Sequence, residues 1–339
     1  MDTHFRNIIA RIFEYIRGEG GSFDGLAKEL FALQYERVEP YRRLCDLRHI
    51  TPKDSRTIPA IPTNAFQEFE ITSLPPDDRP NVFHSSGTTS SEPSRHYHNA
   101  ESLALYEESL SHWFNQHLQP KQRMLALTPP PIQAPHSSLA YMLQSVQFSE
   151  PCFTGKAKND AWIVDIDETL QFLRENRTPI TLAGTAFSFV HLCDGIEPLK
   201  LPSGSSVMET GGYKGRSREL SKTQLHALIT SKLGVPPEKI VCEYGMCELS
   251  SQAYDTRAGQ GGTRRFRFPH WARTRIVSPE DGSEVPLGAT GVLEVIDLAN
   301  VRSVLAVRSC DLAVRHEDGF ELLGRTPLTE SRGCSLNLA

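Results

Sequence analysis

Phe5, Ile8, Ile9, Ile12, Phe13 and Ile16 recur at the three- and four-residue spacing of one helical face, which predicts an amphipathic helix ended by the glycines at 18–21. Residues 50–80 carry Pro52, Pro59, Pro62, Pro75, Pro76 and Pro80 and are expected to be extended and irregular. A second helix is predicted over 101–116, where Leu103, Tyr106, Leu110 and Phe114 share a face. Short apolar runs at 124–127, 180–183 and 240–242 read as buried strands, and Val207-Met208-Glu209 leads into a glycine-rich turn. Helical composition at 164–176, with Asp165 or Asp167 as cap, and at 217–233 separates them. Strand, helix, strand is the order of a mostly parallel α/β sheet, whose ligands sit at the carboxyl ends of the strands. The last third changes period: 274–277, 291–296 and 304–307, with turns at 279–282 and 317–319, predict antiparallel hairpins.

Three polar loops follow predicted strands or extended chain. Ser85-Ser86-Gly87-Thr88-Thr89 offers four hydroxyls and a glycine that lets main-chain N–H groups approach an anion, although such clusters also make ordinary turns. It has no Gly-Lys-Ser/Thr continuation. Gly211 and Gly212 open a glycine-rich turn, and Glu243-Tyr244-Gly245-Met246-Cys247-Glu248-Leu249 follows the run at 240–242.

The Ser-Ser-Gly-Thr-Thr loop with a later Tyr-Gly-x-x-Glu resembles the adenylate-forming enzymes, which couple a carboxylic acid to AMP. Ile58-Pro59-Ala60-Ile61-Pro62-Thr63, Glu209-Thr210-Gly211-Gly212-Tyr213-Lys214-Gly215-Arg216, Asp297-Leu298-Ala299-Asn300, Phe320-Glu321-Leu322-Leu323-Gly324-Arg325 and Arg332-Gly333-Cys334-Ser335-Leu336 narrow the resemblance to the acyl-protein synthetase branch, related to the bacterial bioluminescence fatty-acid ligase. The matches run in order from about residue 58 to the C-terminus. The resemblance implies an α/β fold like the N-terminal domain of adenylate-forming enzymes, with mixed sheets flanked by helices and a small C-terminal β-rich subdomain. It divides the chain into a nucleotide- and acyl-binding core (1–269), a β-rich unit (270–325) and a short tail with Cys334 (326–339), without the lid domain of larger acyl-CoA ligases.

The resemblance also implies roles. Ser85, Ser86, Gly87, Thr88 and Thr89 would hold the phosphates of ATP, and Glu248 would bind Mg²⁺. Tyr244 would stack on adenine unless it is a core tyrosine, with Gly211 and Gly212 forming the pocket wall. Asp311 would take the ribose hydroxyls, Arg325 would be the hinge arginine, and His136 would line the acyl pocket. Cys334 would accept the acyl group. The phosphate loop departs from the family, with Ser90, Ser91 and Arg95 where a glycine and a lysine are usual.

Composition adjusts this picture little. A net charge of −5, from 36 basic and 41 acidic residues, gives no general attraction to nucleic acid or anionic membrane. No basic-then-apolar leader and no membrane-length apolar run is present, so a cytoplasmic location is expected. Seven cysteines without a Cys-x-x-Cys pair fit reduced thiols, most of them in apolar or strand-like settings. His96 and His98 lack a third ligand at matching spacing. Arg264, Arg265, Arg267, Arg273 and Arg275 alternate with aromatic residues as in a half-buried strand, and are also a candidate surface for an acidic acyl carrier protein. The expected activity is formation of acyl-AMP and transfer through Cys334 to a carrier protein, partner enzyme or small acceptor. The alternatives are a transacylase loading Cys334 from an acyl thioester, an acyl-CoA ligase without a cysteine intermediate, and a non-catalytic nucleotide-binding scaffold.

Overall fold

The computed structural model describes residues 3–53, 57–85, 92–118, 123–146, 151–158, 161–213 and 217–325. Helix Thr3–Ile16 buries Phe5, Ile8, Ile9, Ile12 and Ile16, as their spacing requires. Helices Phe23–Arg37 and Glu39–Leu47 follow, elements to which the sequence reading assigned nothing. The first of them starts at Ser22, whose hydroxyl accepts from the Gly25 N–H, and buries Leu26, Ala27, Leu30, Phe31 and Gln34.

The larger sheet runs Ala253–Tyr254, Ile240–Tyr244, Ser206–Thr210, Ile180–Thr185, Arg123–Ala126, Cys152–Phe153, and is parallel except for its first strand. Every residue of Ile180–Thr185 is buried, because helices cover both faces. Strand alternation assigns the faces. Leu125, Leu182 and Val207 pack against Ile166–Glu175, Ala186–Gly195 and Lys222–Leu233, whereas Met124, Ala126, Ala183, Met208 and Val241 pack with Tyr106, Leu110 and Met142 from Ala100–His117 and Ser138–Ser145. Asp165 caps its helix by accepting from the Glu168 N–H at 3.0 Å. The helix expected from 217 begins only at Lys222, since Ser221 and Gln224 exchange side-chain hydrogen bonds with each other's N–H groups as a capping box.

A short hairpin, Gly155–Lys158 with Ala161–Val164, was also not anticipated. Gly155 crosses so close to Thr128 that a Cβ would lie 2.2 Å from its carbonyl carbon, so only glycine fits.

The expected hairpins of the last third form the second sheet: Ala272–Val277, Thr290–Asp297 and Ala306–His316 are antiparallel, and Gly319–Arg325 returns along the last. Ile61–Pro62, from the proline-rich stretch, pairs parallel to Ala306–His316. The three N-terminal helices lie on this sheet, with Phe5, Ile12, Leu30 and Tyr41 in one apolar cluster with Trp271, Leu293, Val295, Val307 and Phe320.

Candidate active site

Strand Ile240–Tyr244 ends in two buried residues that reach different neighbours. The Tyr244 ring packs against Phe266, Phe268 and Phe320, and its hydroxyl donates to Asp311 Oδ2 at 2.7 Å, joining the larger sheet to the second. It is a core ring that reaches the second sheet through its hydroxyl. Burial, and then Asp311, hold the phenol well above its ordinary range. Asp311 stands opposite Arg325 in the register of its hairpin, with Arg325 Nε 3.7 Å from Asp311 Oδ1. The arginine side chain is 78% exposed, so this corner opens to solvent.

The loop after Tyr244 turns inward. A Cβ on Gly245 would lie 2.5 Å from Glu243 Oε1, and that carboxyl is itself buried and held by the Thr210 hydroxyl, so the loop needs glycine here. Glu248 is 4% exposed, a buried acid although its motif loop follows the strand end. Burial raises its carboxyl above the usual range, opposed by hydrogen bonding from Ser94. The Ser94 N–H donates to Ser85 Oγ at 2.9 Å, and the Ser85 N–H donates to the Ser94 carbonyl at 3.1 Å, so the chain leading into Ser86 is anchored beside Glu248.

Ser86, Gly87, Thr88, Thr89 and Cys334 lie outside the described residues. His136 is exposed, stacked on His84 at 4.2 Å, with Nδ1 3.0 Å from the Val82 carbonyl, and so flanks Ser85. Gly211 and Gly212 are exposed just past strand Ser206–Thr210, whose Thr210 is paired with Glu243. Gly211 has φ of +69° and open space around it. The described site residues thus gather where the parallel strands end and the second sheet meets them.

Sequence reasoning passed over Glu243, whose carboxyl is pushed up to about 7 chiefly by burial. Its signal was a charged residue directly after the apolar run at 240–242; the strand itself extends through to Tyr244. An acid with a raised pKa holds its proton more tightly in the folded chain, so stability is greatest below the ordinary carboxyl range and declines as pH climbs from about 4.5 to about 7. Glu243→Gln, which keeps an acceptor for Thr210, is expected to flatten that decline, by at most about 3 kcal/mol across the window. Denaturant midpoints of the two proteins at pH 4.5 and 8 check it.

His96 and His98 are both buried on strand Arg95–His98, and burial pushes His96 down to about 4 and His98 well below its usual range. Among the described residues no group of three or more His, Cys, Asp and Glu side chains is arranged to hold a metal. The arginine series is largely neutralised within the fold: Arg264 pairs with Asp255, Arg265 and Arg267 with Asp318, Arg273 with Asp24, and Arg275 with Glu294. No described helix is long and apolar enough to cross a membrane.

The fold is that of the N-terminal domains of adenylate-forming enzymes. The fold matches 2-hydroxyisobutyryl-CoA ligase solved with its acyl-AMP, with a TM-score of 0.66 at 14% identity over 89% of this chain and 67% of that one. It also matches ATP-bound MatB from Rhodopseudomonas palustris, with a TM-score of 0.54 at 18% identity over 75% of this chain and about half, 49%, of that one. Within that class the chain belongs to the acyl-protein synthetase family, LuxE, which it matches over residues 24–339, and is an enzyme. Long-chain-fatty-acid–luciferin-component ligases of Aliivibrio fischeri and Vibrio harveyi are 22% and 21% identical to it, each over 93% of this chain and 87% and 86% of their own.

Proposed function

We propose that this enzyme activates a carboxylic acid with ATP and Mg²⁺ as acyl-AMP, then transfers the acyl group to Cys334 for delivery to an acceptor. The observation that carries the reading is the meeting, at the strand ends, of Ser85, the buried Glu248 and the Tyr244–Asp311–Arg325 chain. A substrate carboxylate oxygen attacks the α-phosphorus and pyrophosphate leaves; the Cys334 thiolate then attacks the acyl carbon and AMP leaves. Neither step needs a protein nucleophile at phosphorus, so the chain's work is to position and neutralise.

Asp311 would accept from vicinal hydroxyls, a role supported by the contacts of its carboxylate with Tyr244 and Arg325. Glu248 fits a single-carboxylate magnesium site: it is buried, hydrogen-bonded by Ser94, and disfavoured as an anion until a cation joins it. When bound, Mg²⁺ would offset charge on the phosphate oxygens. The fatty acid named for the relatives makes an aliphatic acid the first substrate to try.

Pyrophosphate exchange into ATP with a panel of acids tests the reading; no exchange with any acid would overturn it. One observation favours the transacylase instead. Arg95, at the lysine-like position after the phosphate loop, turns inward, its guanidinium donating to the Gln67 carbonyl at 3.1 Å. Acylation by an acyl thioester without ATP would support that second reading. Asp311→Ala is expected to weaken ATP binding by roughly tenfold or more, from the loss of charge-assisted hydrogen bonds of about 1.5–3 kcal/mol each. Equal affinities by calorimetry would remove Asp311 from the site.

A further inference from the structure

The Asp297-Leu298-Ala299-Asn300 segment has no part in the chemistry above, yet it is fully buried against the Glu248 loop. Asn300 Nδ2 donates to the Glu248 carbonyl at 2.8 Å and to the Val304 carbonyl at 3.1 Å, while its Oδ1 accepts from the Ser250 hydroxyl at 2.6 Å. Asp297 accepts from the Ser250 N–H at 2.9 Å, the Ser251 hydroxyl at 2.7 Å and the Ala299 N–H of its own turn at 2.9 Å. Gln34, from helix Phe23–Arg37, closes the turn from behind: it donates to the Asn300 and Val301 carbonyls and accepts from the Leu305 N–H. On the other side of Glu248, His96 Nδ1 lies 2.7 Å from the Cys247 carbonyl.

The carbonyls of Cys247 and Glu248 belong to the two peptide planes that flank the Glu248 Cα. Restraining both planes restrains φ and ψ there, and so the direction of the Cα–Cβ bond. The carboxyl's own contacts, with Ser94, the Cys247 side chain and the Glu248 N–H, hold its end against the same main chain, so its aim depends on where these two planes are fixed.

We infer that Asn300, secured by Asp297 and Gln34, and His96 are positioning residues that aim the Glu248 carboxyl through its main chain. The inference rests on the proposed role of Glu248 toward magnesium. It predicts that disturbing Asn300 weakens the metal-dependent part of nucleotide binding and leaves the metal-free part alone.

Calorimetry of ATP binding in Mg²⁺ and in EDTA tests this on the parent, Asn300→Asp, Ser250→Ala and Glu248→Gln. Asn300→Asp keeps the shape but places an oxygen where two carbonyls need a donor. The gain in ATP affinity from Mg²⁺ is expected to fall by about tenfold, with affinity in EDTA unchanged. If Asn300→Asp does not fold, Ser250→Ala, which removes the hydroxyl held by Asn300 Oδ1, is expected to lose about threefold of the same gain. A parent-like gain in the folded variant overturns the inference, as does equal weakening with and without Mg²⁺. Glu248→Gln separates the two levels: if it abolishes the gain while Asn300→Asp keeps it, only the positioning falls. If Glu248→Gln keeps the gain, or the parent binds no ATP, the reading of the site falls and the inference with it.

Discussion

Incubated with a matching carboxylic acid, ATP and Mg²⁺, the parent protein is expected to gain one hydroxylamine-labile acyl group, and Cys334→Ala none. Thioester formation needs a thiol that can ionise and that an activated acyl group can reach. Burial pushes Cys45 and Cys193 up to about 12, holds Cys242 well above the usual thiol range and raises Cys152, and Cys247 is buried as well. Such thiols behave as small hydrophobic side chains. Cys310 breaks that pattern. It is exposed, lies next to Asp311 in strand Ala306–His316, and has its Sγ 3.7 Å from Thr63 Oγ1. The sequence context, a strand-like run, gave no hint of that exposure. Cys310→Ala is therefore the necessary companion: it should keep the adduct. Intact mass of the three proteins decides the matter, and an adduct that survives Cys334→Ala and vanishes in Cys310→Ala would move the acceptor to the second sheet. Cys334→Ala should still form acyl-AMP, because activation precedes the thiol.

What could be read from the chain follows from the range of the interactions involved. Apolar runs located the strands at 180 and 240, because burial on both faces of a parallel sheet favours such runs. Periodicity located the first helix for the same kind of reason. Helix Ala186–Gly195 was passed over because nearly all of it is buried, so no polar face marks its period. The start at Lys222 depended on a local competition that the capping box of Ser221 and Gln224 wins. The site was legible as motifs but not as an arrangement. The Tyr244–Asp311 hydrogen bond joins residues 67 apart, and the His96 contact to the Cys247 carbonyl spans 151. No local pattern encodes either. The burial of Glu248 is of this kind too: the same loop would be solvated were Ser94 and the Asp297–Asn300 turn not packed over it.

That burial determines how Glu248 should be tested. Glu248→Gln is expected to lower acid-dependent pyrophosphate exchange by about 100-fold, equivalent to roughly 3 kcal/mol of transition-state stabilisation. Gln keeps the volume and an acceptor for Ser94, so no cavity forms, whereas Ala would open one in a site that is 4% exposed. The charge itself contributes no stability to the folded chain, since burial raises the carboxyl's pKa. Linkage then gives the sign: the folded chain holds the Glu248 proton more tightly than the unfolded chain does, so this group's contribution to folding falls as pH rises past the unfolded carboxyl's range and is least above the raised folded pKa. Glu248→Gln should thus melt no lower than the parent at neutral pH, and its loss of activity cannot be ascribed to unfolding. Excess Mg²⁺ should not restore the rate, because the amide offers the cation a dipole where the carboxylate offers a charge. Exchange kinetics and thermal melts of parent and variant, measured side by side across Mg²⁺ concentrations, check both halves. A variant that retains more than about a tenth of the parent's exchange, with unchanged melting, would mean that Glu248 is a structural acid and that the metal is held elsewhere.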